Sequence, residues 1–445
     1  MMKINTQERL SQEYLAEIEA APDAMRADFD KIVDYMKQSS AIHHGEYVRT
    51  CLKPKLFTAQ EFASFASDIK LLYGIFAKVM DAYDQDANYR ALFGFDARTE
   101  ELILRADHTL STLPMARIDF FYNEKTGAYQ FCEFNTDGTS AMNEDRELNI
   151  AQQNTAACRD FTARHKTHTC ELFDSWVDTL CALYRRARHT EKTPYVAIVD
   201  LMECGTVNEF EVFKEHFIAK GVQAEVCDVR ELHFDGTELK GPAGQKIDAI
   251  YRRAVTSDLL AHYDECGEFL AAVRADAVLL LGDFHTQLVH NKEIFRVLQA
   301  PETLALLTGT ERAYIHDHVP YTIAFADADF EAVAREKDKW ILKPLDSYGS
   351  RGIYAGVEYD HDEWRNIVKT TPREGYLLQA FQMPFMTQNY GMLGDTYRKN
   401  WYYNLTGIYT YDGVAQGVYS RVSLSPIISS QYSEKTLPTL IVDEE

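Results

Sequence analysis

Apolar and polar positions fall into three successive patterns along this chain. In "FASFASDIKLLYGIFAKVMDAYDQ", Phe65, Ile69, Leu72, Ile75, Phe76 and Val79 recur at helical spacing, and residues 1–115 read as mainly helical. Two runs rich in aromatic residues, "ARIDFFY" and "AYQFCEFN", then flank the turn-like "NEKTG" and predict a β-hairpin. "MNEDRELNIAQQNTAACRDFTARH" and "ELFDSWVDTLCALYRRA" return to helical patterning, completing a segment over 116–192. The character changes at Thr193–Pro194. Short apolar runs, "YVAIVDL", "VQAEVCDV" and "KIDAIYRRA", alternate with the amphipathic helix "NEFEVFKEHFIAKG", which stops at Gly221. "SDLLAHYDECGEFLAAVRA" adds a helix N-capped by Ser257, so 193–284 reads as a small parallel α/β unit. Over 285–445 the pattern is a short helix, "HNKEIFRVLQ", and then strands, with a hairpin turned at Tyr411-Asp412-Gly413.

The first hairpin carries chemistry as well as structure. Pairing Tyr122 with Ala128 sets Arg117 opposite Glu133 and Asp119 opposite Phe131. Arg117, Asp119, Glu133 and Asn135 then share one face, and Ile118, Phe120, Cys132 and Phe134 the other. A slip of one residue would separate the two sets. Two acids and an amide on one face suit a hard cation such as Mg²⁺, and the adjacent arginine suits a phosphate. A surface hairpin with solvated charges is the alternative that these short patterns leave open.

The composition is that of a globular protein with 46% hydrophobic and 26% charged residues, and the 445 residues allow two or three domains. No run approaches the ~18 apolar residues of a membrane span, and "MMKINTQERLSQEYLAEIEA" lacks a secretory core. A net charge of −22 argues against a nucleic-acid partner. It either favours cationic small molecules or serves solubility. Eight cysteines without a C-x-x-C pair fit reduced thiols, and the expected location is cytoplasmic. His165, His168 and Cys170 lack the further spacing of a zinc site. Neither a G-x-G-x-x-G nor a P-loop is present.

The second candidate stretch is "ILKPLDSYGSRGI". Lys343 ends an apolar strand, and Ser347, Gly349, Ser350 and Gly352 form a loop whose backbone N–H groups can approach phosphates, with Arg351 adding charge. An ordinary hairpin turn is the alternative. "HNKEIF", "PYT", "WILKPLDSYGSRGI" and "YLLQAF" in that order resemble the ATP-grasp fold. Here R-x-D and E-x-N precede that block by about 200 residues. This permuted order is similar to that of the glutathionylspermidine synthase family in its synthetase domain.

The resemblance implies an α/β ATP-grasp fold with permuted motifs, a pre-ATP-grasp-like α/β domain and a helical N-terminal region. It implies ATP and two Mg²⁺ ions as cofactors. Asp119, Glu133 and Asn135 become the metal ligands, and Arg117 a contact to the transferred phosphoryl group. Lys292 and Lys343 become the nucleotide-phosphate lysines, with the Ser350–Gly352 loop beside them. Gln379, Ala380 and Phe381 would line the adenine pocket, with Ile427 and Ile428 against the nucleotide. Arg421 matches the late arginine that stabilises the transition state, and Asp137 and Ser140 fall where the family contacts its acid substrate. Arg252 and Arg253 in "IYRRA" suggest either a carboxylate site for the acid or a structural salt bridge.

The implied activity is ATP-dependent carbon–nitrogen ligation of a small acid and an amine (a peptide, an amino acid or a polyamine) through an acyl phosphate. The loop over 347–352 would close to exclude water from that intermediate. An ATP-grasp kinase and a non-catalytic nucleotide-binding module are the alternatives. The chain departs from the family in having no amidase domain before the ligase, in "TDGTSA" after E-x-N, and in a longer segment between the two lysines.

Overall fold

In a computed structural model, which describes residues 6–43, 45–105, 113–347, 349–393, 396–429 and 434–443, the chain is mixed α/β. The helix expected around Phe65 runs over Ala59–Gln85, started by a reciprocal capping box between Thr58 and Glu61. Its apolar stripe packs on the hairpin strands Met115–Tyr122 and Tyr129–Asn135. Phe65 meets Phe120 at 5.3 Å and Phe76 meets Phe134 at 5.2 Å between ring centroids. Burying four rings in edge-on and tilted contacts fixes which face of the hairpin looks inward.

The hairpin belongs to a six-stranded antiparallel sheet completed by the far end of the chain. The long strand Thr396–Tyr411 uses its first half to pair with Met386–Leu393 and its second half to pair with Met115–Tyr122. Val414–Ser423 lies on its other edge, followed by Lys435–Leu437. The turn at Asp412–Gly413 has positive φ at both residues, 48° and 79°, which suits the twist of a tight hairpin and explains the Asp-Gly pair.

Two smaller sheets flank this one. Val196–Asp200, Ala224–Asp228, Ala249–Arg252 and Leu279–Leu281 form a wholly parallel sheet, with Val196–Asp200 and Ala249–Arg252 at its centre. Thr322–Ala324, Tyr376–Ala380, Trp340–Pro344 and Tyr354–Ala355 form an antiparallel sheet in that order. Lys55–Thr58 runs parallel to Thr439–Val442, which ties the N-terminal helices to the C-terminal segment. Among the described residues, no helix is long and apolar enough to cross a membrane.

Two local expectations need correction. The first concerns the hairpin register: Tyr122 pairs with Tyr129, Phe120 with Phe131, Asp119 with Glu133 and Arg117 with Asn135, so Cys132 is an extra, unpaired residue. The expected register would have stood Phe131 on the polar face. The bulge turns it into the core with Phe120 and Phe134, and keeps Glu133 and Asn135 beside Asp119. The second concerns Ser257, which is not a cap. The stretch makes two helices, Thr256–Ala261 and Gly267–Arg274, and the N–H of Thr256 donates to Asp137 Oδ2 at 2.6 Å.

Candidate functional site

Asp119 is the hub of the polar face and is fully buried. Its Oδ1 accepts from Arg117 Nε at 2.8 Å. Its Oδ2 accepts from Arg117 at 3.0 Å, from Arg421 at 2.7 Å and from Asn135 Nδ2 at 3.1 Å. Arg421 reaches Asp119 across Thr396–Tyr411, and Gly407 is the residue of that strand paired with both Asp119 and Tyr419. A Cβ at Gly407 would press into Asp119 Oδ1 and lie 2.9 Å from Arg117 Cγ and Cδ. Nothing in the sequence patterns marked Gly407 for this role, although a glycine inside a long strand is a signal of close approach.

The bulge also serves the second stretch. The carbonyl of Cys132, freed from the ladder, accepts from Lys343 Nζ at 3.1 Å. Lys292 Nζ donates to Ser347 O at 2.7 Å, and the N–H of Lys292 donates to Leu345 O, so both lysines are anchored at the same strand end. Burial alone would raise the Glu133 carboxyl, but Lys292, Arg421, Arg117 and Lys343 outweigh it and hold the group at about 2. Burial pushes the Lys292 ammonium down against the pull of Glu133, with Lys343 adding to the effect.

These groups open on one cavity of about 800 Å³. Arg117, Glu133, Asn135, Lys292, Lys343, Ser350 and Arg421 line its cationic part. Ile341, Ile353, Gln379, Ala380, Phe381, Ile427 and Ile428 line an apolar part. Gln379 is oriented by a 2.9 Å bond to Thr322 Oγ1. Asp137, Ser140 and Arg253 face the cavity from the loop after the hairpin and from the small parallel unit. Gly352 does not line it; its positive φ of 72° and the nearby Tyr376 hydroxyl give it a turn position instead. Tyr348 of the expected phosphate loop lies outside the described residues.

Arg252 is placed elsewhere. Its guanidinium pairs with Asp137 at 2.5 Å and donates to Ala254 O, Asp283 O and the carbonyl of Gly282, which is the structural salt bridge rather than a cavity contact. Arg253 pairs with Glu209 at 2.8 Å, and its Nε has no acceptor among the described residues. His165 and His168 bond separately to Glu13 and Asp443, and Cys170 packs under Gly417, so the three do not gather.

A hard cation would find oxygens on Glu133 and Asn135. The Asn135 nitrogen donates to both acids, which leaves its carbonyl end toward the cavity. Asp119 already accepts four N–H groups, so it joins a metal only by yielding one of them.

The sequence patterns did not point to Glu144, Asp200, Tyr419 or Glu434, all of which line the cavity. Burial raises the Asp200 carboxyl to about 7, against Arg253. A folded-state value above the unfolded one means that stability falls as pH rises from about 4 to about 7. Asp200→Asn is therefore expected to raise the melting temperature at pH 8 more than at pH 4, as read by thermal denaturation at the two values.

No known family and no curated protein sequence matches the chain. Among solved structures it is similar to a glutathione synthetase-like effector from Globodera pallida in its apo form. The TM-score is 0.63 at 10% identity, spanning 93% of this chain and 97% of that one. A D-cycloserine synthetase matches at TM-score 0.30 and 16% identity, over 56% of this chain and 75% of its own. A macrocyclase from Microcystis aeruginosa MRC, bound with its precursor peptide, matches at TM-score 0.30 and 14% identity, over 55% and 90%. The likeness to the first is one of fold, and the other two fall below that level.

Proposed function

We propose that this chain is an ATP- and Mg²⁺-dependent carboxylate–amine ligase of the ATP-grasp kind, with its motifs in permuted order and an acyl phosphate as intermediate. The observation that carries the reading is one shared cavity: Glu133 and Asn135 of the hairpin, two anchored lysines and an apolar slot converge there from stretches about 200 residues apart in sequence. The fold likeness to a glutathione synthetase-like effector supports the same reading.

In this reading Lys292, Lys343, Ser347, Gly349 and Ser350 hold the nucleotide phosphates, while Phe381, Ile427 and Ile428 hold the base. Glu133 and Asn135 would hold Mg²⁺, with Asp119 behind them, and the metal would neutralise charge on the phosphates. A carboxylate has no leaving group for an amine to displace; its phosphorylation supplies one. Arg117 and Arg421, oriented by Asp119, offset the repulsion between carboxylate and polyphosphate as charge develops. The acid lies toward Asp137, Ser140 and Arg253. The amine is a peptide, amino acid or polyamine.

The test is Mg-ATP-dependent phosphate release with pooled acids, including glutathione and short peptides, with and without pooled amines. Release that needs both pools supports ligation. Release with one pool and a stable phosphorylated product identifies a kinase instead, and ATP binding without release under any pool leaves a binding module or a ligase whose substrates lie outside the pools. Phe381→Ala is expected to weaken ATP binding by about tenfold through loss of roughly 1.4 kcal/mol of apolar contact, measured by calorimetry.

A further inference from the structure

Amine attack on an acyl phosphate needs a neutral nitrogen, yet an alkylamine is an ammonium at neutral pH, so the ligase reading requires a proton acceptor. The acids of the hairpin are unsuited to it. Glu133 is held at about 2 by its cationic neighbours, and Asp119 is saturated by two guanidinium groups and an amide.

Glu144 differs from both. It lines the cavity from the first turn of the helix Met142–Gln153. Its Oε2 accepts from the Tyr419 hydroxyl at 2.7 Å and from the Thr436 hydroxyl at 3.1 Å. Its Oε1 accepts no hydrogen bond from the described residues, so one oxygen is oriented and the other is left for a ligand. The Tyr419 ring carries Arg117 at 4.9 Å and Arg421 at 5.6 Å, which places Glu144 one side chain away from the guanidinium pair.

We infer that Glu144 is the general base that takes a proton from the ammonium of the amine substrate, with Tyr419 and Thr436 as its positioning residues. This rests on the ligase reading. One proton passes from the ammonium to Glu144 Oε1. The freed electron pair then attacks the acyl carbon, forming the C–N bond as the C–O bond to phosphate breaks. Phosphate leaves with the electron pair of the broken C–O bond, and the second proton of the nitrogen goes to the departing phosphate.

The groups facing Glu144 fit this role. They are Tyr419 from one strand, Glu434 and Thr436 from the segment beside it, Glu209 from the helix Val207–Ala219, and Asp145 from its own helix. Burial, with Glu434 and Glu209 behind it, raises the carboxyl to about 7 against the bonds from Tyr419 and Thr436. That value balances the ionised fraction against basicity at neutral pH.

The experiment compares two nucleophiles on the full chain with Mg-ATP, using glutathione and a dipeptide pool as acids. Hydroxylamine is largely neutral near pH 7.5 and needs no base; 1,3-diaminopropane is protonated there. Glu144→Gln is expected to form hydroxamate within about twofold of the native rate, but to couple the diamine at least ~50-fold more slowly, with the deficit shrinking toward about pH 10. Tyr419→Phe should shift the pH profile of diamine coupling without abolishing it. Equal loss with both nucleophiles, or no loss with either, would overturn the inference. Absence of hydroxamate from the native chain would overturn the ligase reading itself, so the two failures are distinct. Thermal denaturation at pH 8 separates chemistry from folding: removing a buried charge should leave Glu144→Gln at least as stable as the native chain.

Discussion

Asp119→Asn is expected to lower ATP-dependent phosphate release by at least ~100-fold and to lower the melting temperature as well. The reason is the number of groups that depend on one carboxylate. Arg117 grips it through two nitrogens, Arg421 through a third and Asn135 through its amide. An amide of the same shape keeps one acceptor oxygen and presents N–H donors where a guanidinium stood. Arg117 then loses its buried counter-charge, and Arg421 loses the nearest of its acidic partners. Removing one partner from a buried pair costs roughly 3–5 kcal/mol, because the remaining charge stays desolvated. Arg421 keeps Glu434 at 3.4 Å and would turn toward it, away from the hairpin. Phosphate release and thermal denaturation on the same preparation check this. A variant with native activity would show that Asp119 does not organise the site.

Gly407→Ala should act on the same hub from the opposite side, with no change of charge. Gly407 sits mid-strand with partners on both edges, Asp119 and Tyr419, so the strand has little freedom to yield. The new methyl would meet Asp119 Oδ1 and the Arg117 side chain at distances that real Cβ atoms do not show. Overpacking of this kind costs roughly 1–3 kcal/mol, and here the strain falls on the groups that set Arg117 and Arg421. Phosphate release is expected to fall by about 100-fold, as for loss of one oriented donor set, while ATP affinity changes little because Lys343 and the apolar slot are untouched. Calorimetry and phosphate release together check it; if Ala is tolerated, the close approach is not needed for activity.

The patterns that a sequence carries well are those set by local physics. Helical spacing from Phe65 to Val79 gave the long N-terminal helix, because its apolar stripe is written in consecutive turns. The Asp-Gly turn and the parallel strands around Val196 were legible for the same reason: left-handed φ and apolar runs are properties of a few adjacent residues. The odd-numbered polar set on the hairpin was legible too, although the register that produces it was not. Only packing of Phe131 against Phe120 and Phe134 selects the bulge at Cys132, and that bulge is what presents a carbonyl to Lys343.

By itself, then, the sequence determined the long N-terminal helix, the main strands and the types of side chain available for phosphate and metal chemistry. Tertiary structure alone decided their company. It spent Arg252 on Asp137, set Gly407 against Asp119, and turned Glu144 toward Tyr419. Each of these is a contact between residues 115 to 288 positions apart, made by strands and loops from distant parts of the chain that meet only in the fold. Such contacts leave no local periodicity, because what selects them is the exclusion of water from charges and rings that meet only once the sheets have assembled.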